Sequence, residues 1–254
     1  MAEPAPSASA TGKLPQHIAV IMDGNGRWAE GRGLPRLSGH EEGANSVREI
    51  TRACREKGIG ALTLYSFSTE NWKRPQDEVT GLMALLARYL VEERREILDN
   101  GVRLNAIGQI DKLPAPVRLA LKELMHASRE NARPGKPGMV LTLALSYGGR
   151  AEIVEAARSL AKQCATGRLR PDAITEELFS GSLGTAGLPD PDFLIRTSGE
   201  LRLSNFLLWQ LAYAEMYVTD THWPDFRRPQ LDQALAAFGS RERRFGMTGA
   251  QVKR

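Results

Sequence analysis

The sequence predicts a single α/β domain, a central, mostly parallel six-stranded sheet flanked by helices. Three observations predict it. Short apolar runs alternate with longer amphipathic stretches, the pattern of strands buried between helices. No internal repeat and no linker divides the chain. Its 254 residues suffice for one large core.

The elements follow in order. The apolar run 17–22 reads as a buried strand with Val20 and Ile21 inside it. It stops at Asp23-Gly-Asn-Gly26, where glycine and asparagine admit positive φ. The glycine- and arginine-rich stretch 30–36 reads as a mobile loop. Ala44, Val47, Ile50 and Ala53 recur at three-residue spacing and predict a helix over 43–57, stopped by Gly58. Residues 61–67 form a second strand, followed by the polar loop 68–75. A helix over 76–99 gathers Val79, Leu82, Met83, Leu86, Tyr89 and Leu90 on one face. A third strand covers 102–107, an amphipathic helix 113–131, a tight connector 133–138 and a fourth strand 140–147. The helix over 150–166 turns Ile153, Val154, Ala157 and Leu160 inward, and a shorter helix follows Pro171. After the loop 181–191 come a fifth strand at 193–196 and a buried helix over 204–213 opened by a Ser204 cap. A sixth strand at 215–219 and a last helix at 230–238 precede a charged tail.

The formal net charge of +4 is mildly basic and favours anionic partners. Nucleic acid is excluded as the main partner, because no basic face with interleaved aromatics and no recognised motif is present. Cys54 and Cys164 lie far apart and read as reduced thiols of a cytoplasmic protein. No run reaches the ~20 apolar residues of a spanning helix, and the Ala-, Pro- and Ser-rich N-terminus is not a signal peptide. Residues 1–14 read as a disordered tail, leaving 15–254 as the domain.

Ligands of parallel sheets sit beyond the carboxyl ends of the strands. Asp23 to Arg27 follows the first strand, Ser68 to Arg74 the second, and Arg196 to Ser204 the fifth. Backbone N–H groups at Gly24, Asn25 and Gly26 suit an anion, and Arg27 adds a fork of donors. Asp23 would repel phosphate unless a divalent cation such as Mg²⁺ lay between them. An ordinary strand-to-loop turn fits the spacing equally well, since the dinucleotide fingerprint is incomplete and the Walker pattern absent. Glu215 opens the sixth strand, so it reaches the same rim only from the loop before that strand or from another subunit.

Several motifs together resemble one family. His17-Ile-Ala-Val-Ile-Met-Asp-Gly-Asn-Gly-Arg-Trp28, with Gly39, His40 and Gly43, closely resembles the start of the cis-prenyltransferases, the undecaprenyl diphosphate synthase family. Tyr65 to Pro75, Asp192 to Glu200, Arg202 to Glu215 and Arg244-Phe-Gly246 resemble its later motifs. The resemblance implies sequential condensation of isopentenyl diphosphate onto an allylic diphosphate such as farnesyl diphosphate, with Mg²⁺ as cofactor. It implies a hydrophobic tunnel for a long-chain product, one side of it formed by the 76–99 helix. By the same match Asp23 handles the metal and helps the diphosphate leave. Gly24, Asn25, Gly26, Arg27, Trp28, Arg36 and His40 bind the allylic diphosphate, and Arg196, Arg202 and Ser204 bind the isopentenyl diphosphate. Ser68, Thr69, Glu70, Trp72 and Arg74 contact substrate, Asn71 accepts or positions the proton, and Glu215 is a metal ligand. Leu201 departs from relatives that carry a metal-ligating histidine there. A homodimer, with Trp209 and Tyr213 in the core or the interface, and transient peripheral contact with the inner face of a membrane complete the expectation. An all-helical trans-prenyltransferase is excluded, because no Asp-Asp-x-x-Asp motif occurs.

Overall fold

The computed structural model describes residues 14–130 and 138–241. Its sheet has six strands: β1 (His17–Ile21), β2 (Ala61–Ser68), β3 (Arg103–Ile107), β4 (Val140–Tyr147), β5 (Phe193–Thr197) and β6 (Glu215–Thr219). They lie in the order β3-β4-β2-β1-β5-β6. Every pairing is parallel, so the expected mostly parallel sheet is wholly parallel among the described residues.

Alternation along β1 builds two cores. Ile18 and Val20 point to one face, Ala19 and Ile21 to the other. The first face is covered by α2 (Arg36–Glu56), α3 (Gln76–Glu92), α4 (Arg94–Asp99), α5 (Ala115–Glu130) and α8 (Arg228–Gly239). On the second face Phe206, Leu207 and Leu211 cover Ala19, Ala144 and Leu194. The remaining helices are α1 (Asn25–Glu30), α6 (Gly149–Ala165) and α7 (Glu176–Ser180).

Several local expectations are corrected. The helix expected over 43–57 begins seven residues earlier, at Arg36. Gly39 and Gly43 do not interrupt it. A Cβ on either would collide with Asn25, so these glycines let α2 close on the turn after β1. The stretch 76–99 breaks at Glu93 into α3 and α4, and the loop 68–75 contains a 3₁₀ turn over Thr69–Lys73. Val154 and Ala157 face outward on α6, whose buried positions are Gly149, Ala156 and Leu160. The buried helix expected over 204–213 does not form. Ser204, Asn205 and Leu207 have φ of +48°, +63° and +43°, a left-handed path incompatible with a helix. Most of the expected tail and the connector, and all of the Arg244 to Gly246 motif, lie outside the described residues.

Candidate active site

The site forms where β1 and β5 end side by side. Asp23 leaves β1 and Arg196 is the fourth residue of β5. Arg196 Nη2 donates to Asp23 Oδ2 at 2.9 Å. The Arg27 guanidinium stands 3.3 Å from Oδ1, one helical turn along α1, and the Gly24 N–H donates to the same oxygen at 2.7 Å. Thr197 fixes the backbone: its hydroxyl accepts the Asp23 N–H at 2.9 Å and donates to the Asp23 carbonyl at 2.7 Å. Gly24 has φ +101°, and a Cβ there would strike Ser198 and His222, so only glycine suits this corner. Burial alone would raise the Asp23 carboxyl, but Arg196, Arg27 and the Gly24 N–H outweigh it and hold the group below the usual carboxylate range.

From Asp23 the charges alternate. Arg27 also reaches Glu200 at 3.4 Å, and Glu200 pairs with Arg202. The order Arg196–Asp23–Arg27–Glu200–Arg202 crosses back and forth between two segments, the turn after β1 and the end of β5 with the loop that follows it. Arg196 is only 2% exposed. Its Nη1 donates to Ser204 Oγ at 2.9 Å and to the Arg202 carbonyl, while its buried Nε has no partner. A guanidinium this enclosed, with one carboxylate partner and a spare donor, suits a further anion.

A second cluster stands at the N-terminus of α2. Arg36 pairs with Glu30 and lies 3.5 Å from Glu78, which also accepts Arg74 at 2.9 Å. His40 is beside them. Burial, with help from Arg74 and Arg36, pushes its imidazole down to about 4, so it is neutral near pH 7. A cavity of about 170 Å³ runs from here between α2, α3 and the sheet. Asn25, His40, Asn71 and Arg74 line its polar end; Val47, Leu82, Leu86 and Leu143 line its apolar part.

The other predicted residues divide. The Asn71 side-chain oxygen accepts the Ser68 N–H at 3.0 Å, which fixes the amide in the 3₁₀ turn. Ser68 and Thr69 turn their hydroxyls onto Glu70. With Asn205 and the Glu70 N–H they overcome its burial and hold its carboxyl below the usual range. Trp72 packs edge-on to Phe67 and donates to Ser146 at 2.8 Å. Trp28 donates to Asp225 at 2.8 Å beneath the Arg32 guanidinium, and is not among the cavity residues. Glu215 pairs in register with Phe193, at the amino end of β5, whereas Arg196 and Thr197 stand at the other end. Its carboxylate takes Arg241 at 2.9 Å. Within one chain, therefore, Glu215 and Asp23 are not brought together. Leu201 is 83% exposed and turns to solvent. Glu78, Glu200 and Asn205 are contact residues that the sequence reading did not select. Acidic or amide residues two to four positions from the predicted arginines, Glu78 after Arg74 and Glu200 and Asn205 around Arg202, were the available signal.

Among the described residues no three His, Cys, Asp or Glu side chains gather to hold a metal. That donor set does not suit an all-protein cage. It does suit Mg²⁺, which binds through one or two carboxylates plus substrate phosphates. Asp23, with a partly exposed carboxylate beside an arginine cluster, is the residue that fits.

Comparison with known proteins points one way. The family model described as "Putative undecaprenyl diphosphate synthase" matches residues 21–246. An isoprenyl transferase of Geobacter sulfurreducens is 51% identical over 94% of this chain and 96% of its own length. A ditrans,polycis-undecaprenyl-diphosphate synthase of Xanthomonas axonopodis pv. citri, named as specific for (2E,6E)-farnesyl diphosphate, is 48% identical over 99% of this chain and 96% of its own. Among solved structures, lavandulyl diphosphate synthase from Lavandula x intermedia, in complex with dimethylallyl diphosphate, superposes with TM-score 0.87 at 38% identity. It covers 92% of this chain and 98% of its own. A probable undecaprenyl diphosphate synthase from Campylobacter jejuni gives TM-score 0.73 at 34% identity, covering 92% and 99%.

Proposed function

This chain belongs to the undecaprenyl diphosphate synthase family, and from that membership we propose that it condenses isopentenyl diphosphate repeatedly onto farnesyl diphosphate, giving a long-chain Z-polyprenyl diphosphate. Such a product is the precursor of the lipid carrier for cell-wall glycans. The observation that carries the reading is the alternating chain from Arg196 through Asp23, Arg27 and Glu200 to Arg202, set beside an apolar cavity. It offers three guanidinium groups to two diphosphates at the mouth of a place for their hydrocarbon.

In each cycle the allylic C1–O bond breaks and diphosphate departs with the electron pair. C1 bonds to C4 of isopentenyl diphosphate, whose C2 then loses a proton. Arg27 and Arg36, the backbone at Gly24 to Gly26 and neutral His40 hold the allylic diphosphate. Its tail enters the cavity. Arg196, Arg202 and Ser204 hold isopentenyl diphosphate. Preorganised donors of this kind are worth most where charge develops, here on the departing oxygens. Mg²⁺, held by Asp23 and the diphosphate, would neutralise that charge when bound. Because the Asn71 oxygen already accepts the Ser68 N–H, the amide serves as a donor that orients substrate. A neutral amide is in any case a poor base, and a diphosphate oxygen takes the proton.

A cavity of about 170 Å³ compares with an engineered one of ~150 Å³ that admits benzene. No described helix is long and apolar enough to cross a membrane. We read the enzyme as cytoplasmic, delivering its product by transient contact with the inner face of a membrane. We also read it as a homodimer. β6 is an edge strand among the described residues; Met216 within it and Tyr213 (75% exposed) just before it are exposed. A second copy is the occupant, and it supplies the route by which Glu215 could approach an Asp23 site.

Incubating the purified chain with farnesyl diphosphate, isopentenyl diphosphate and Mg²⁺, with mass analysis of the lipids, tests the reading. A ladder of products rising by isoprene units is expected; unconsumed isopentenyl diphosphate would overturn it.

A further inference from the structure

The segment that replaces the expected helix has a feature that local sequence does not explain. Ser204, Asn205 and Leu207 are all left-handed, with φ of +48°, +63° and +43°. Non-glycine residues persist there only where the surroundings over-determine them. Asn205 is where those surroundings converge. Its carbonyl accepts the Gly149 N–H at 2.7 Å. Its side-chain oxygen accepts the Arg150 N–H at 2.9 Å. Its amide nitrogen donates to Glu70 Oε1 at 3.1 Å.

Two of these bonds satisfy first-turn N–H groups of α6, which otherwise lack intrahelical partners. Gly148 has no side chain to cap that helix, so Asn205 caps it from another segment. The fit is close. A Cβ on Gly148 would come within 2.7 Å of the Asn205 amide nitrogen and 2.8 Å of Thr69 Oγ1. The third bond runs to the turn that also carries Asn71.

What Asn205 holds on its other side is the anion site. Ser204 precedes it, with its hydroxyl 2.9 Å from Arg196 Nη1 and its carbonyl 3.2 Å from the Tyr65 hydroxyl. Moving Asn205 moves Ser204 and loosens the loop around the Arg196 guanidinium. We propose that Asn205 is a positioning residue: it sets the geometry of the Arg196–Arg202–Ser204 site and couples that site to the turn carrying Glu70 and Asn71. The proposal rests on reading that site as the seat of isopentenyl diphosphate.

Steady-state kinetics with each diphosphate varied in turn, beside thermal unfolding, tests it in the full chain. Asn205→Gly keeps the left-handed backbone and removes both side-chain bonds. It is expected to raise KM for isopentenyl diphosphate roughly tenfold, with KM for farnesyl diphosphate changed less than about twofold. Asn205→Asp is nearly isosteric and keeps an oxygen for the Arg150 N–H, but sets a carboxylate against Glu70. It is expected to raise the same KM, and Glu70→Gln in that chain to bring it back towards the value of Glu70→Gln alone. An unchanged KM in Asn205→Gly, an equal rise for both substrates in folded variants, or no recovery in the double variant would overturn the proposal. Failure of the unaltered chain to elongate farnesyl diphosphate would instead overturn the functional reading itself.

Discussion

Asp23 and Arg196 meet at 2.9 Å across adjacent strand ends, although 173 residues separate them in the chain. The guanidinium is buried and the carboxylate partly exposed. The pair therefore has two functions. It neutralises a cation that would be costly to leave alone in the interior, and it aims a carboxylate at the rim where we propose that diphosphate binds.

Removing that carboxylate tests both functions. Asp23→Ala is expected to lower turnover by about a thousandfold or more, since the departing diphosphate loses the protein ligand proposed to hold its Mg²⁺. It is also expected to cost roughly 1–3 kcal/mol of stability, less than a fully buried pair because Asp23 meets solvent. Turnover with saturating Mg²⁺ and urea unfolding measure the two effects. Near-normal turnover would remove Asp23 from the mechanism.

The two anion sites should respond separately. Arg202→Ala removes a half-exposed guanidinium beside Glu200 and is expected to raise KM for isopentenyl diphosphate about tenfold. KM for the allylic substrate should stay close to that of the unaltered chain. The reverse pattern would interchange the assignments of Arg27 and Arg202.

His40 gives a pH dependence with a definite sign. Its folded pKa, about 4, lies below the ordinary value of ~6.5. The unfolded chain thus binds the extra proton first as pH falls. Stability from the buried neutral ring is complete above about pH 6.5 and is lost progressively towards about pH 4, by roughly 2–3 kcal/mol. His40→Asn should flatten the difference between urea midpoints at about pH 7 and about pH 4.5. An unchanged difference would show that His40 is already charged or already solvated in the native chain.

The edge at β6 predicts an assembly. Tyr213→Glu places charge on an exposed aromatic just ahead of the edge strand β6, and should convert a dimer to a monomer at micromolar concentration by sedimentation. A monomer in the unaltered chain would remove the dimer reading.

The sequence by itself determined the strands, the order in which they end in polar turns, and most of the helices. These are written in short-range periodicity: alternation in β1, three- and four-residue spacing in α3, and turn residues at Asp23 to Gly26. It also selected Asp23, Arg27, Arg196, Arg202 and Ser204, which the fold brings to one rim. Tertiary structure decided what a linear pattern cannot carry. Gly39 and Gly43 look like helix breakers, yet they serve the closeness of α2 to Asn25. Ser204 to Leu207 look helical, yet hydrogen bonds from Tyr65, Gly149 and Arg150 hold Ser204 and Asn205 in the left-handed region, as Leu207 also is. Trp28 and Trp72 found partners in Asp225 and Ser146, and neither lines the cavity. Glu215 came to rest at the far end of the sheet from Asp23, because a parallel strand that starts with a residue cannot also end with it. In each case the deciding partner lies tens to hundreds of residues away, so its effect is set by packing and not by the neighbours in sequence.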